Sequence, residues 1–88
     1  MKRDCGQGEL KPTSWEVVSC VGKDDKEQVQ SYLTLDFALS CYRAQLALHK
    51  DVDFTDVRLY AKDKQGYMNC ILYWSSRNGE VINRISEL

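Results

Sequence analysis

Nucleophilic catalysis is the first chemistry to consider in this 88-residue chain, because it holds four cysteines and a single histidine. A catalytic thiol needs a base within hydrogen-bond reach, and His49 is the one histidine that could serve. On a predicted helix Cys41 precedes His49 by more than about two turns, so the two cannot pair along it. Cys70 could approach His49 from the sheet, but no glycine-rich oxyanion loop stands near either residue. We therefore expect no catalytic residues, and we interpret His49 as a residue that packs at the end of the helix.

Metal binding is the second chemistry to consider. Asp51, Asp53 and Asp56 lie close together in sequence, and so do the acidic residues of the segment 24–27. Magnesium enzymes usually add a phosphate-binding loop to such carboxylates, and no Gly-x-x-x-x-Gly-Lys or Gly-x-Gly-x-x-Gly motif is present. A zinc site normally uses closely spaced ligand pairs, whereas the cysteines are scattered, at Cys5, Cys20, Cys41 and Cys70. We expect solvated turn acids, no metal and no cofactor.

Composition places the chain among ordinary globular proteins, with 43% hydrophobic and 28% charged residues. The length allows a single core, such as one sheet covered by one helix. Twelve basic and thirteen acidic residues give a net charge of −1. This balance disfavours a dedicated duplex DNA binder, which usually carries an excess of lysine and arginine, and equally an acidic DNA mimic.

The domain is predicted to begin at Ser14. Residues 1–13 hold three glycine or proline breakers and no periodicity, so we expect a flexible N-terminal tail followed by one domain over 14–88. Neither the tail nor any later run has the apolar stretch of a signal peptide or a membrane span. We therefore expect a cytoplasmic protein without membrane contact.

Two strands and a helix are predicted in the first half. Residues 15–21 are β-branched and aromatic, and residues 28–33 alternate, so a polar turn between them gives an antiparallel hairpin. Thr34 is a suitable N-cap for the following helix, and Asp36 suits its positive end. One apolar stripe at helical spacing should pack on the sheet: Leu35, Ala38, Leu39, Tyr42, Leu46 and His49.

A second apolar group lies beside that stripe. Its members are Phe37, Cys41, Ala44 and Leu48. A helix lying on one sheet needs a narrower apolar face than the two groups make together. Either the chain's own tail or loops cover the second group, or it meets a partner or a second subunit, which would make the protein a homodimer.

Three more strands are predicted after the helix. Residues 54–62 alternate, and residues 67–75 are the most apolar run, which favours a central strand. Asn78-Gly79 predicts a type I′ turn leading to an edge strand over 80–85. A short terminal helix using Val81, Ile85 and Leu88 is the alternative for this end. The fold class is α+β, with the order β-β-α-β-β-β, an antiparallel sheet of four to five strands and one helix on one face.

The sheet face without a helix is the candidate binding surface. We place on it Tyr32, Arg58, Tyr60, Lys62, Tyr67, Asn69, Ile71 and Tyr73. Tyrosine and arginine dominate binding hot spots in protein interfaces, and the same residues can stack unpaired bases and meet phosphate. A third interpretation is that the tyrosines only pack across strands.

The segment Tyr32-Leu33-Thr34-Leu35-Asp36-Phe37-Ala38-Leu39 joins the hairpin to the helix, and Val57-Arg58-Leu59 marks the next strand. This layout, over residues 15–75, resembles small phage-encoded proteins that inhibit host enzymes, such as host RNA polymerase inhibitors and some anti-CRISPR proteins. The resemblance implies a compact inhibitor that covers the surface of a larger protein.

Our interpretation is a non-enzymatic protein-binding module, an inhibitor or adaptor of the phage type. Single-stranded nucleic-acid binding by the same sheet face is the alternative. A small enzyme that uses His49 and a cysteine is a third, and it would require a thiol of lowered pKa.

Overall fold

A computed structural model describes residues 12–23 and 26–88. Its elements are β1 (Ser14–Cys20), β2 (Gln28–Tyr32), α1 (Leu35–His49), β3 (Asp56–Lys62), β4 (Met68–Ser75), β5 (Gly79–Asn83) and a short 3₁₀ helix (Ile85–Glu87). The predicted α+β class and element order are confirmed. Residues 1–11 of the predicted tail, and Asp24 and Asp25 of the first turn, lie outside the described residues.

All five strands form one antiparallel sheet in the order β2-β1-β3-β4-β5. The prediction that β4 is central is wrong, because β1 lies between β2 and β3 and pairs with both, so β3 is the middle strand. The apolar run in β4 has another cause. Its register with β3 shifts between Leu59 and Tyr60, so Ile71 is an extra residue beside Leu72, and both are buried.

The core lies between α1 and one face of the sheet. Ala38 and Tyr42 of the helix pack there with strand residues such as Trp15, Val17 and Leu59. The helix begins as predicted, since the Thr34 hydroxyl accepts a hydrogen bond from the backbone N–H of Phe37 at 3.4 Å. Val57, Leu59 and Ala61 alternate with half-buried polar neighbours, which gives β3 one dry face and one partly wet face.

The turn between β4 and β5 differs from the prediction. A type I′ turn needs positive φ at both Asn78 and Gly79, but of the two only Gly79 has it, at 74°. Three residues, 76–78, connect the strands, and the Asn78 N–H donates to the Ser75 hydroxyl at 3.0 Å. Gly79 follows this loop as the first residue of β5, and its φ lies in the left-handed region, which glycine occupies without strain. At the C-terminal end the predicted strand is present as β5. The alternative helix through Val81, Ile85 and Leu88 is not formed, because Val81 lies in that strand and only a short 3₁₀ helix follows, at Ile85–Glu87.

Tyr42 makes the stability of the fold depend on pH in the alkaline range. Burial, and then the negative charge of Glu80, raise the pKa of Tyr42 to about 12, against an ordinary value of 10.0. Between about pH 10 and 12 the unfolded chain therefore loses this proton while the folded chain keeps it. The free energy of unfolding therefore falls as the pH rises through that window, by on the order of 1–2 kcal/mol.

Urea unfolding followed at several alkaline pH values measures this effect, and Tyr42→Phe is the control. In the variant, the free energy of unfolding should fall less steeply with pH above pH 10 than in the wild-type chain. The variant should remain folded at neutral pH. An unchanged slope in the variant would show that Tyr42 does not cause it.

Candidate protein-binding surface

The face of the sheet opposite α1 is called the open face. Strand alternation and register place on it the residues that alternate with the core: Glu16, Val18, Val29, Ser31, Asp56, Arg58, Tyr60, Lys62, Met68, Cys70, Tyr73, Ser75 and Ile82. In the described ranges, α1 packs on the other face, and Ile85 of the 3₁₀ helix joins that same core. No described helix or strand lies across the open face.

Arg58 is the centre of this surface. Its guanidinium lies 5.2 Å from the centre of the Tyr73 ring, the residue directly opposite on β4. Its Nη1 donates to the Tyr60 hydroxyl at 3.3 Å, and its Nε lies 3.4 Å from Oδ1 of Asp56. A guanidinium above an aromatic ring and beside a carboxylate is restricted in orientation by both contacts.

The Nε–H group of Arg58 is a hydrogen-bond donor without an acceptor among the described residues. Although it lies close enough to Asp56 for charge attraction, it is buried and makes no hydrogen bond to any residue that the structure describes. A buried polar atom without a hydrogen bond costs free energy.

A second ion pair lies further along the open face. The ammonium of Lys62 is 3.6 Å from Oε2 of Glu16. Val18, between the two pairs, is only 7% exposed although no helix of the described part of the chain covers this side. The surface therefore has an apolar centre and carries both signs of charge, with a carboxylate beside each of these two cations.

The pKa values of two groups on the open face, Arg58 and Cys70, are raised above their ordinary values. The hydrogen bond with Tyr60, followed by the charge of Asp56, raises the pKa of Arg58 despite partial burial, so the guanidinium stays charged. Burial raises the pKa of Cys70, which lies opposite Tyr60 in the sheet. A catalytic thiolate requires the opposite direction. The thiol of Cys41 donates to Oε1 of Gln30 at 2.8 Å rather than to a base.

The structure brings four of the predicted surface residues together: Arg58, Tyr60, Lys62 and Tyr73 lie on the open face. The placement of Tyr32 on it is wrong. Tyr32 pairs with Trp15, whose side chain is in the core, so Tyr32 lies on the helix side, where it packs against the core and donates to Gln30 at 3.2 Å.

The placements of Asn69, Ile71 and Tyr67 on the open face are also wrong. The register shift in β4 moves Asn69 opposite Ala61, a core residue, and Ile71 is fully buried. Tyr67 precedes β4 and lies in the turn from β3, where its N–H donates to Asp63 at 3.0 Å. Tyr67 is 69% exposed but does not belong to the sheet.

Sequence reasoning missed the contribution of β1. Glu16 and Val18 join Arg58 and Tyr60 because β1 pairs with β3 along its whole length. Alternation along the strand indicates which side chains of β1 share the open face, since Glu16 and Val18 alternate with Val17 and Ser19, which face the core. The pairing of β1 with β3, which makes the surface continuous, has no local signal.

The second apolar group on the helix is accessible. Phe37 is 68% exposed and Leu48 is 70% exposed, while Cys41 is half buried against the core and Ala44 is exposed. Leu33, which follows β2, is 83% exposed. None of the described segments covers this group.

Other candidate sites are weaker. A depression of about 350 Å³ is lined by Asp53, Phe54, Ser76 and Arg77, at the end of the sheet that holds the loop before β3. Across the described ranges, no three metal-ligating side chains come together. The same part of the chain holds no helix that is long and apolar enough to cross a membrane.

Comparison with known proteins leaves the open face as the main guide to function. No family model matches the chain, and neither a curated protein nor a solved structure matches it significantly.

Proposed function

We propose that the chain is a non-enzymatic protein-binding module that acts in the cytoplasm by covering a surface of a larger protein, as phage-type inhibitors and adaptors do. The observation that carries the proposal is Arg58, which contacts Tyr73, Tyr60 and Asp56 at the middle of a sheet face that no described helix or strand covers. Arginine and tyrosine side chains that are already ordered contribute most to protein binding, because little conformational entropy remains to be lost.

The charges of the open face favour a protein over a nucleic acid. Arg58 lies beside Asp56, and Lys62 lies beside Glu16. A phosphate approaching either cation would also meet a carboxylate, which repels it. A protein surface can present donors and acceptors to both signs of charge.

Single-stranded nucleic acid is the second candidate, because Tyr60 and Tyr73 present rings next to a guanidinium. Binding of this kind weakens steeply with salt, since it releases counterions from the phosphates. The salt dependence of oligonucleotide binding therefore separates the two candidates.

Affinity capture from the native cell tests the proposal. The immobilised chain and an Arg58→Ala, Tyr73→Ala double variant are exposed to the same extract, and fluorescence anisotropy with single-stranded oligonucleotides is measured over a salt series. We expect one stoichiometric protein on the wild-type chain, its loss on the variant, and no oligonucleotide binding. Salt-sensitive oligonucleotide binding, or a protein that the variant retains equally, would contradict the proposal.

A further inference from the structure

Strand β2 is an unprotected sheet edge. It pairs with β1 on one side, and none of the strands in residues 12–23 and 26–88 pairs with its other side. Proteins usually protect such edges with charged side chains, prolines or bulges, because the unpaired backbone groups accept another strand. The sequence of β2, QVQSY, has no charge and no proline, and its register with β1 runs without a shift. The other edge, β5, carries Glu80 and an irregular register with β4.

The second apolar group of α1 lies on the same side of the molecule as this edge. The thiol of Cys41 donates to Gln30 of β2, which fixes that flank of the helix towards the strand. Phe37, Ala44 and Leu48 share the flank with Cys41 at helical spacing, and Leu33 lies between strand and helix in the chain. A bare edge and an exposed apolar flank therefore form one surface.

The second apolar group of α1 has the same residue spacing when it is read from its first or from its last residue. Cys41 follows Phe37 by four residues, Ala44 follows by three more and Leu48 by another four. In two antiparallel copies, Phe37 of each therefore lies across from Leu48 of the other, with the small residues Cys41 and Ala44 in between. This self-matching pattern is what a twofold interface requires, since each contact occurs twice.

We propose that this surface binds a second copy of the chain, with β2 antiparallel to β2 and the apolar flanks of the two α1 helices facing each other. One twofold axis serves both contacts, because a rotation that makes the strands antiparallel does the same to the helices. This proposal does not depend on the function of the open face, which lies on the other side of the sheet.

Charge and area both fit a second copy. The apolar group and β2 contain no charged residue, so two copies meet without like-charge repulsion. Taking about 200 Å² for a large side chain, the exposed parts of Leu33, Phe37 and Leu48 amount to roughly 400 Å² per copy. Doubled, and with strand pairing added, this approaches the roughly 1,200–2,000 Å² of specific interfaces.

Sedimentation of the full chain under reducing conditions tests the proposal. We expect a dimer for the wild-type chain and at least tenfold weaker association for Phe37→Asp. Phe54→Asp is the matched control, because Phe54 is 67% exposed but lies in the loop before β3. A wild-type chain that stays monomeric at its solubility limit would overturn the proposal, and so would equal weakening by the control.

A mixing experiment tests the antiparallel arrangement. Phe37→Asp and Leu48→Lys should each be monomeric alone and should form a heterodimer when mixed, because the new charges then face each other. Failure to associate on mixing would contradict the arrangement. Hydrogen exchange of the β2 amides should slow with increasing protein concentration while that of the β5 amides does not, and unchanged β2 exchange would exclude strand pairing.

Discussion

Leu59→Ala should lower the free energy of unfolding by about 3 kcal/mol. Leu59 lies in the middle of the central strand, is fully buried, and pairs with Val17 on one side and Leu72 on the other. Truncation removes apolar contacts with α1 and leaves a cavity that the sheet cannot close, because its neighbours are held by hydrogen bonds on both sides. Domains of this size are stable by only about 5–15 kcal/mol in total.

Thermal and urea unfolding followed by circular dichroism measure this effect, with an expected fall in Tm of roughly 15 °C. Leu88→Ala is the matched control, since Leu88 is 43% exposed at the chain end, and it should change stability by less than about 0.5 kcal/mol. If both variants had equal stability, Leu59 would not be the centre of the core.

The local patterns of the sequence were sufficient to predict the elements. Alternation of Val57, Leu59 and Ala61 with polar residues gave β3 and its buried face. Thr34, followed by apolar residues at helical spacing, gave the start of α1. These features depend on neighbours within a few residues, which is why a single sequence contains them.

The face of an edge strand could not be predicted in the same way. In β2 the apolar Val29 and the aromatic Tyr32 lie on opposite faces, and both are at least partly exposed. Burial therefore gives no strong preference for either face, and the pairing with β1 decides. That pairing puts Tyr32 beside Trp15, so hydrophobicity alone pointed to the wrong face.

The register shift in β4 could not be predicted from the sequence either. A register shift turns every following side chain to the other face, and this one moved Asn69 and Ile71 away from the open face while Tyr73 stayed on it. The sequence shows only a continuous apolar run there. The same shift explains why the run resembles a strand buried on both sides although β4 is not central.

The second large effect concerns binding through Arg58. Arg58→Ala should weaken binding of the captured partner by at least about 30-fold, the size expected for an arginine hot spot. The variant loses the guanidinium, its stacking on Tyr73 and its hydrogen bond to Tyr60. Arg58→Lys should be intermediate, because lysine keeps the charge but not the planar, stacked group.

Arg43→Ala is the matched control, because Arg43 is an exposed arginine on the helix, on the opposite side of the sheet. Each variant is first checked by circular dichroism, so that a loss of binding is not a loss of fold. The control should bind within about twofold of the wild-type chain, since isolated exposed side chains contribute little to an interface elsewhere.

Calorimetric titration of the captured partner into the wild-type, Arg58→Ala and Arg43→Ala chains is the most direct test of the open face as a docking surface. We predict affinity that falls steeply for Arg58→Ala and stays unchanged for Arg43→Ala. Equal affinity of all three chains would show that the partner binds elsewhere and would contradict the account.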